Sequence, residues 1–120
     1  MPYPHIRMRR LRAKAFTRKL VQEHRLAVAD LICPLFILPG KKQKTAVQSM
    51  PGVYRFSIDE LLYEVESLVH LGVLAAVIFP VIPPELKSPD GHDAVHPNGL
   101  IPRAVAAIKQ HFPDFGVITD

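Results

Sequence analysis

Three runs of the chain are apolar throughout, and two segments between them are apolar on one side only. The runs are Leu31–Leu38 ("LICPLFIL"), Val73–Val81 ("VLAAVIFPV") and the closing "FGVITD" at 115–120. Each has strand length, and continuous apolar character predicts strands buried on both faces. Pro34 argues against a central position for the first run, because proline cannot donate to a ladder; it predicts a bulge or a strand start. Between the first two runs, Leu61, Leu62, Val65, Leu68 and Val69 recur with helical period. Ser57 to Glu60 fits a capping box at the start of that helix, and Gly72 fits its end. Between the second and third runs, Ile101, Val105 and Ile108 predict a helix over 99–111 that Pro113 terminates. The segments 40–49 and 82–99 read as loops, the first basic and polar, the second dense in Pro, Asp and Gly.

The order strand, helix, strand, helix, strand is the pattern of a parallel sheet with covering helices, an α/β fold. Three strands are too few for a sheet covered on both sides, so the unit reads as the opening of a larger one. No Gly-rich turn follows the first strand, which tilts the choice from a dinucleotide-binding sheet toward a (β/α)₈ barrel. In a barrel the chemistry lies at the C-terminal strand ends. Those ends carry Leu38-Pro39, Phe79-Pro80 and Asp120. Asp120 is thereby a candidate catalytic carboxylate, and Phe79 a candidate pocket-lining residue that serves equally well as core.

Charge changes the picture at one end. Residues 1–25 hold eight lysines and arginines against one glutamate, a net of +7, and the other 95 residues hold seven against ten acids, a net of −3. Pro2 and Pro4 predict an extended start, and Phe16, Leu20 and Val21 predict a short amphipathic helix over 13–25. Such a basic arm with interleaved aromatics could neutralise phosphates, so a non-catalytic module binding RNA or an acidic partner through residues 1–25 stands as an alternative function. No apolar run approaches the roughly 20 residues of a membrane span. The single cysteine, Cys33, excludes an internal disulfide framework and a CxxC metal site, and it reads as a buried, inert thiol. These features favour the cytoplasm. His92 and His96 are spaced for one helix face, but Pro97 and Asp90-Gly91 place them in loop, which argues against zinc there. Glu85, Asp90 and Asp93 read as a solvated loop.

Several stretches, in order and in register, resemble the porphobilinogen synthase (delta-aminolevulinic acid dehydratase) family. They are "RMRRLR" (7–12), "DLICPLFI" (30–37), "SMPGVYRFSID" (49–59), "LGVLAAVIFPV" (71–81), "KSPDGHDAVHPNGL" (87–100) and "FPDFGVITD" (112–120). Met8 stands where the family usually has proline, and Val95-His96 departs from its aromatic-polar pair. The resemblance implies a (β/α)₈ TIM barrel behind an extended arm. It implies an N-terminal arm over 1–29, and over 30–120 the first two and a half β/α units of a barrel whose larger part is missing. The family condenses two 5-aminolevulinate molecules into porphobilinogen, with loss of two waters, in tetrapyrrole and haem biosynthesis. Its two Schiff-base lysines lie beyond "ITD", and Lys41, Lys42, Lys44, Lys87 and Lys109 read as ordinary solvated lysines, so the fragment is expected to be inactive. The resemblance gives Asp120 a substrate-amine or proton-transfer role. It gives Arg7, Arg9, Arg10 and Arg12 a place in an arm that wraps a neighbouring subunit of a homo-oligomer, an octamer in the family, with neither nucleic acid nor membrane as partner. The family's metal is zinc or magnesium, with no ligands expected in this chain; "FPVIPPELKS" resembles the magnesium-using bacterial members more closely. Strand edges left without neighbours predict poor stability in isolation.

Overall fold

The computed structural model describes residue 5 and residues 9–119. Two short helices, α1 (Arg10–Ala13) and α2 (Ala15–Leu20), come first and bury no residue. Of the helix predicted over 13–25 only α2 forms, starting after the extended Lys14 (φ −115°, ψ 151°) and ending at Leu20, while α1 lies before it. A helix this short is marginal without tertiary contacts to hold it, and here it has none.

The body follows: β1 (Ile32–Ile37), β2 (Lys44–Ala46), β3 (Tyr54–Phe56), α3 (Ile58–His70), β4 (Ala75–Pro80), α4 (Leu100–His111) and β5 (Gly116–Thr119). The three predicted strands and both predicted helices are present. They form one mixed sheet in the order β2-β3-β1-β4-β5, parallel except for the β2–β3 pair. The β2–β3 hairpin corrects the loop reading of 40–49, within which β2 lies. Val47 and Val53 close it through a 2.9 Å backbone bond, and Gly52 takes the positive φ of +83° that its turn requires.

Pro34 lies within the central strand, against expectation. The N–H of Leu38 donates to the Phe56 carbonyl of β3. Residues of the same parity point the same way, so the nitrogen of Pro34 faces β3. The β1–β3 register covers only Phe36 and Ile37, so no ladder bond is missing there.

The sheet is covered on one face, not two. Leu35, Ile37, Ala76 and Ile78 are buried with Leu61, Val65 and Leu68 of α3 and Ala104 and Ile108 of α4. On the other face Phe36, Val77 and Phe79 are half-buried, and Ile32 and Ile118 are exposed. Both helices lie on the same side, and their apolar stripes reach only that face.

The helix ends are built differently at the two termini of α3. At its C-terminus Val73 N–H donates to Leu68 O and Gly72 N–H to Val69 O, with Gly72 at φ +84°. This is the double-bonded glycine stop that the sequence predicts. At its N-terminus Ser57 is the cap by position, but the predicted capping box does not form. The Ser57 hydroxyl instead accepts from Gln43 N–H (3.0 Å) and donates to Asp59 Oδ1 (2.6 Å), while Lys42 N–H donates to Asp59 Oδ2 (2.7 Å). The loop after β1 is thereby tied to the start of α3. These bonds hold the Asp59 carboxyl below the usual carboxylate range, Ser57 contributing most. A depressed folded value means the contribution is present above the unfolded pKa and is lost as pH falls through the folded one. Ser57→Ala is expected to raise the Asp59 pKa toward its ordinary value, read by NMR titration of its carboxyl carbon. An unchanged titration would show that Ser57 does not hold it.

Candidate functional site

Parallel strands bring their C-terminal ends to one edge of the sheet, and the sequence-predicted residues collect there. Phe36 and Phe79 are paired in register on the open face. Their rings stand 5.8 Å apart, centroid to centroid, at 30°, within the range of favourable aromatic contact. Phe79 is therefore a residue of the open face and not of the helix-covered core. Its partner Phe36 was not singled out in the sequence, because strand parity assigns a residue to a face but does not give the register between strands. β5 lies beside β4 with Val77 opposite Ile118 and Ile78 opposite Thr119. Asp120 falls outside the described residues, as does Arg7. Arg9, Arg10 and Arg12 are exposed on the arm.

The approach of β5 is set by glycine and lysine. A Cβ on Gly116 would lie 2.9 Å from the Ala75 Cβ, closer than such atoms come without displacement. Gly116 N–H donates to Leu74 O at 2.8 Å. The Lys109 ammonium donates to the carbonyls of Phe115 (2.6 Å) and Pro113 (3.2 Å), holding the turn that delivers β5. Lys109 was read from the sequence as an ordinary solvated residue; a lysine in the last turn of a helix that ends before a strand was the available signal.

Other lysines near the edge also have structural settings. Lys44 lies over the rings of Tyr54 (4.7 Å) and Phe56 (5.4 Å). The backbone of Lys42 takes a positive φ of 51° and binds Asp59. Neither has the desolvated setting that would make an amine nucleophilic near neutral pH.

Beyond β4 the segment 82–99 arches over the strand ends in two 3-10 turns, Pro84–Leu86 and His92–Val95. A cavity of about 320 Å³ lies beneath, lined by Pro39, Val81, Asp93, His96 and Arg103 among others. His92 N–H donates to Ser88 Oγ, and the Ser88 hydroxyl to Asp90, whose carboxyl is held low chiefly by that bond. His96 Nδ1 accepts from Asn98 N–H. Among the described residues no group of three or more His, Cys, Asp or Glu side chains could hold a metal ion. Cys33 is half-buried; burial, then the Glu64 charge, pushes its thiol pKa up, which disfavours the thiolate. Among the same residues no helix is long and apolar enough to cross a membrane.

Known proteins place this arrangement. The sequence model of the delta-aminolevulinic acid dehydratase family matches residues 5–120. A delta-aminolevulinic acid dehydratase of Bradyrhizobium diazoefficiens is 40% identical over 96% of this chain and 33% of its own length. One from Bacillus subtilis is 41% identical over 95% of this chain and 35% of its own. The crystal structure of the Toxoplasma gondii enzyme, solved with its reaction product porphobilinogen, superposes with a TM-score of 0.86 and 38% identity, over 96% of this chain and 32% of that one. The chain spans about a third of the length of the relatives it matches. With 116 of its 120 residues matched by the family's sequence model, the chain belongs to the delta-aminolevulinic acid dehydratase family.

Proposed function

We propose that this chain is the N-terminal third of a porphobilinogen synthase, and that the whole protein condenses two molecules of 5-aminolevulinate into porphobilinogen with release of two waters. The observation that carries this reading is the match along nearly the whole chain to dehydratases, one of them solved with porphobilinogen. In this reading residues 1–29 are the arm, and residues 30–120 open a (β/α)₈ barrel. The bare sheet face, with Phe36, Val77, Phe79 and Ile118, is then the inner wall of that barrel, and the helix-covered face its outside. A barrel interior is filled by layers of such side chains, which accounts for apolar residues on both faces of β1 and β4.

Asp120 follows directly after β5 in the sequence. A carboxylate there accepts a hydrogen bond from a substrate amine and moves a proton during condensation. Phe79, beside Phe36, would line the wall below it. The nucleophilic lysines of the family lie beyond residue 120, and the chain alone is expected to be inactive. The whole enzyme uses zinc or magnesium, with magnesium favoured by the 79–88 loop. The described residues do not fit a metal, so no step of the chemistry is assigned to one here. The arm, with Arg7, Arg9, Arg10 and Arg12, joins copies into a homo-oligomer, an octamer on the family pattern, in the cytoplasm. The matched relatives are all dehydratases, which gives no support to the nucleic-acid reading of residues 1–25.

The test is a chimera in which residues 1–120 replace the matching third of the Bacillus subtilis relative. The chimera is expected to form porphobilinogen from 5-aminolevulinate, and the 120-residue chain alone is not. A folded chimera without turnover would refute the assignment of this chain to a working synthase. Turnover by the short chain alone would show that the lysines were misplaced.

A further inference from the structure

Strand β5 leads to Asp120, yet its own side chains anchor it weakly. It has four residues, Gly116 and Val117 half-buried and Ile118 and Thr119 exposed. It lies at the sheet edge, and among the described residues it pairs with β4, from Ala75–Gly116 to Ile78–Thr119. Burial of one face is what specifies a strand's register strongly, and β5 offers the core only the partly buried Val117.

The fixed points lie at its entrance. Phe115 is buried in the core and sets where the strand begins. The direction in which β5 leaves depends on the peptide joining Phe115 to Gly116, because glycine has no Cβ to restrict its dihedrals. That peptide is planar, so bonds to its two polar groups fix its orientation. Its N–H donates to Leu74 O at 2.8 Å, and its carbonyl accepts from the Lys109 ammonium at 2.6 Å. A second bond from the same ammonium, 3.2 Å to Pro113 O, spans the turn. Bonds from a charged donor are about twice as strong as neutral ones. Lys109 stands one residue after the fully buried Ile108 of α4, so its backbone is fixed to the core.

We propose that Lys109 is a positioning residue for the condensation, pinning the Phe115–Gly116 peptide so that β5 leads to Asp120 along one direction. The inference rests on the proposed role of Asp120 and adds the side chain on which its placement depends. A tilt of about 5° at Gly116 moves the end of a strand about 13 Å long by about 1 Å. A misplacement on the order of 1 Å lowers a rate by about 10²-fold. The ammonium is engaged by two carbonyls, and Lys109 takes no nucleophilic part.

The test is a double-mutant cycle in the chimera described above. Lys109→Met keeps most of the stem and removes the donors; it is expected to lower kcat by about 10–100-fold with KM within about threefold of the parent. Lys109→Arg, which keeps a charged donor, is expected to bring kcat back to within about fivefold. In the Asp120→Asn background, Lys109→Met is expected to lower kcat by less than about threefold, because the group it positions is gone. Damage to folding would slow both backgrounds alike. Equal losses in the two backgrounds, parental kcat for Lys109→Met, or loss of its circular dichroism signal would each overturn the proposal, while a slow Asp120→Asn chimera keeps the Asp120 reading. Parental kcat for Asp120→Asn would overturn both.

Discussion

Asp120→Asn in the full-length chimera is expected to lower kcat by about 10²–10⁴-fold, the range for losing a positioned acid–base group. Asparagine keeps the size and the acceptor oxygen but loses the charge and the proton-accepting capacity. The loss is expected in kcat and kcat/KM alike, because the group acts as bonds to the substrate amine change. The parent and variant chimeras are compared by the rate of porphobilinogen formation at saturating 5-aminolevulinate. A variant with parental kcat would remove Asp120 from the chemistry. A variant with raised KM and unchanged kcat would make it a binding residue only. The physical case is position. Strand β5 is held against β4 by the Gly116–Leu74 bond and the Ala75–Gly116 approach, and its turn is held by Lys109. Such a strand is a constrained base for the residue that follows it in the sequence.

The second large effect is on stability. Leu61 is fully buried where α3 packs on the sheet, beside Ile37, Ile78 and Ile108. Leu61→Ala is expected to cost about 2–5 kcal/mol, the transfer of the lost carbons plus the cavity they leave. A domain of ordinary stability holds only about 5–15 kcal/mol in all. With one face of its sheet uncovered, this body is expected near the bottom of that range, so the variant should retain at most about 3 kcal/mol and unfold at a much lower urea concentration. Urea unfolding followed by circular dichroism is the measurement, with Leu71→Ala, at a side chain 69% exposed, as the control. The control is expected to stay within about 0.5 kcal/mol of the parent. Equal shifts for the two variants would mean that the helix–sheet contact is not the core.

Much of the fold was legible because it repeats along the chain. The helical recurrence of Leu61, Val65 and Leu68 and the stop at Gly72 are local properties, and both appear as expected. The β2–β3 hairpin was not legible, because its strands are three residues each and β2 is exposed throughout. With no buried face, β2 shows no alternation to read, and β3, with Phe56 buried, is too short to show one. Ser57 shows the opposite failure. Its motif was real, but the hydroxyl found stronger partners in Gln43 and Asp59, brought close by the returning loop. Lys109 likewise looked like a solvated residue until the α4–β5 turn brought two carbonyls to its ammonium. At the candidate site, strand ends were predictable from strand order, and Phe79 could be named as a lining candidate. Its pairing with Phe36 needed the β1–β4 register.

The sequence by itself determined β1, β4, β5, α3 and α4, the family and the separation of a basic arm from an acidic body, since these follow from local period, composition and ordered motifs. Tertiary structure alone decided which face of the sheet is covered, where Pro34 can sit in a central strand, and which side chains meet across the β1–β4 seam. The reason is that period two assigns a residue to a face but cannot say what lies against that face. That depends on where helices separated by many residues come to rest.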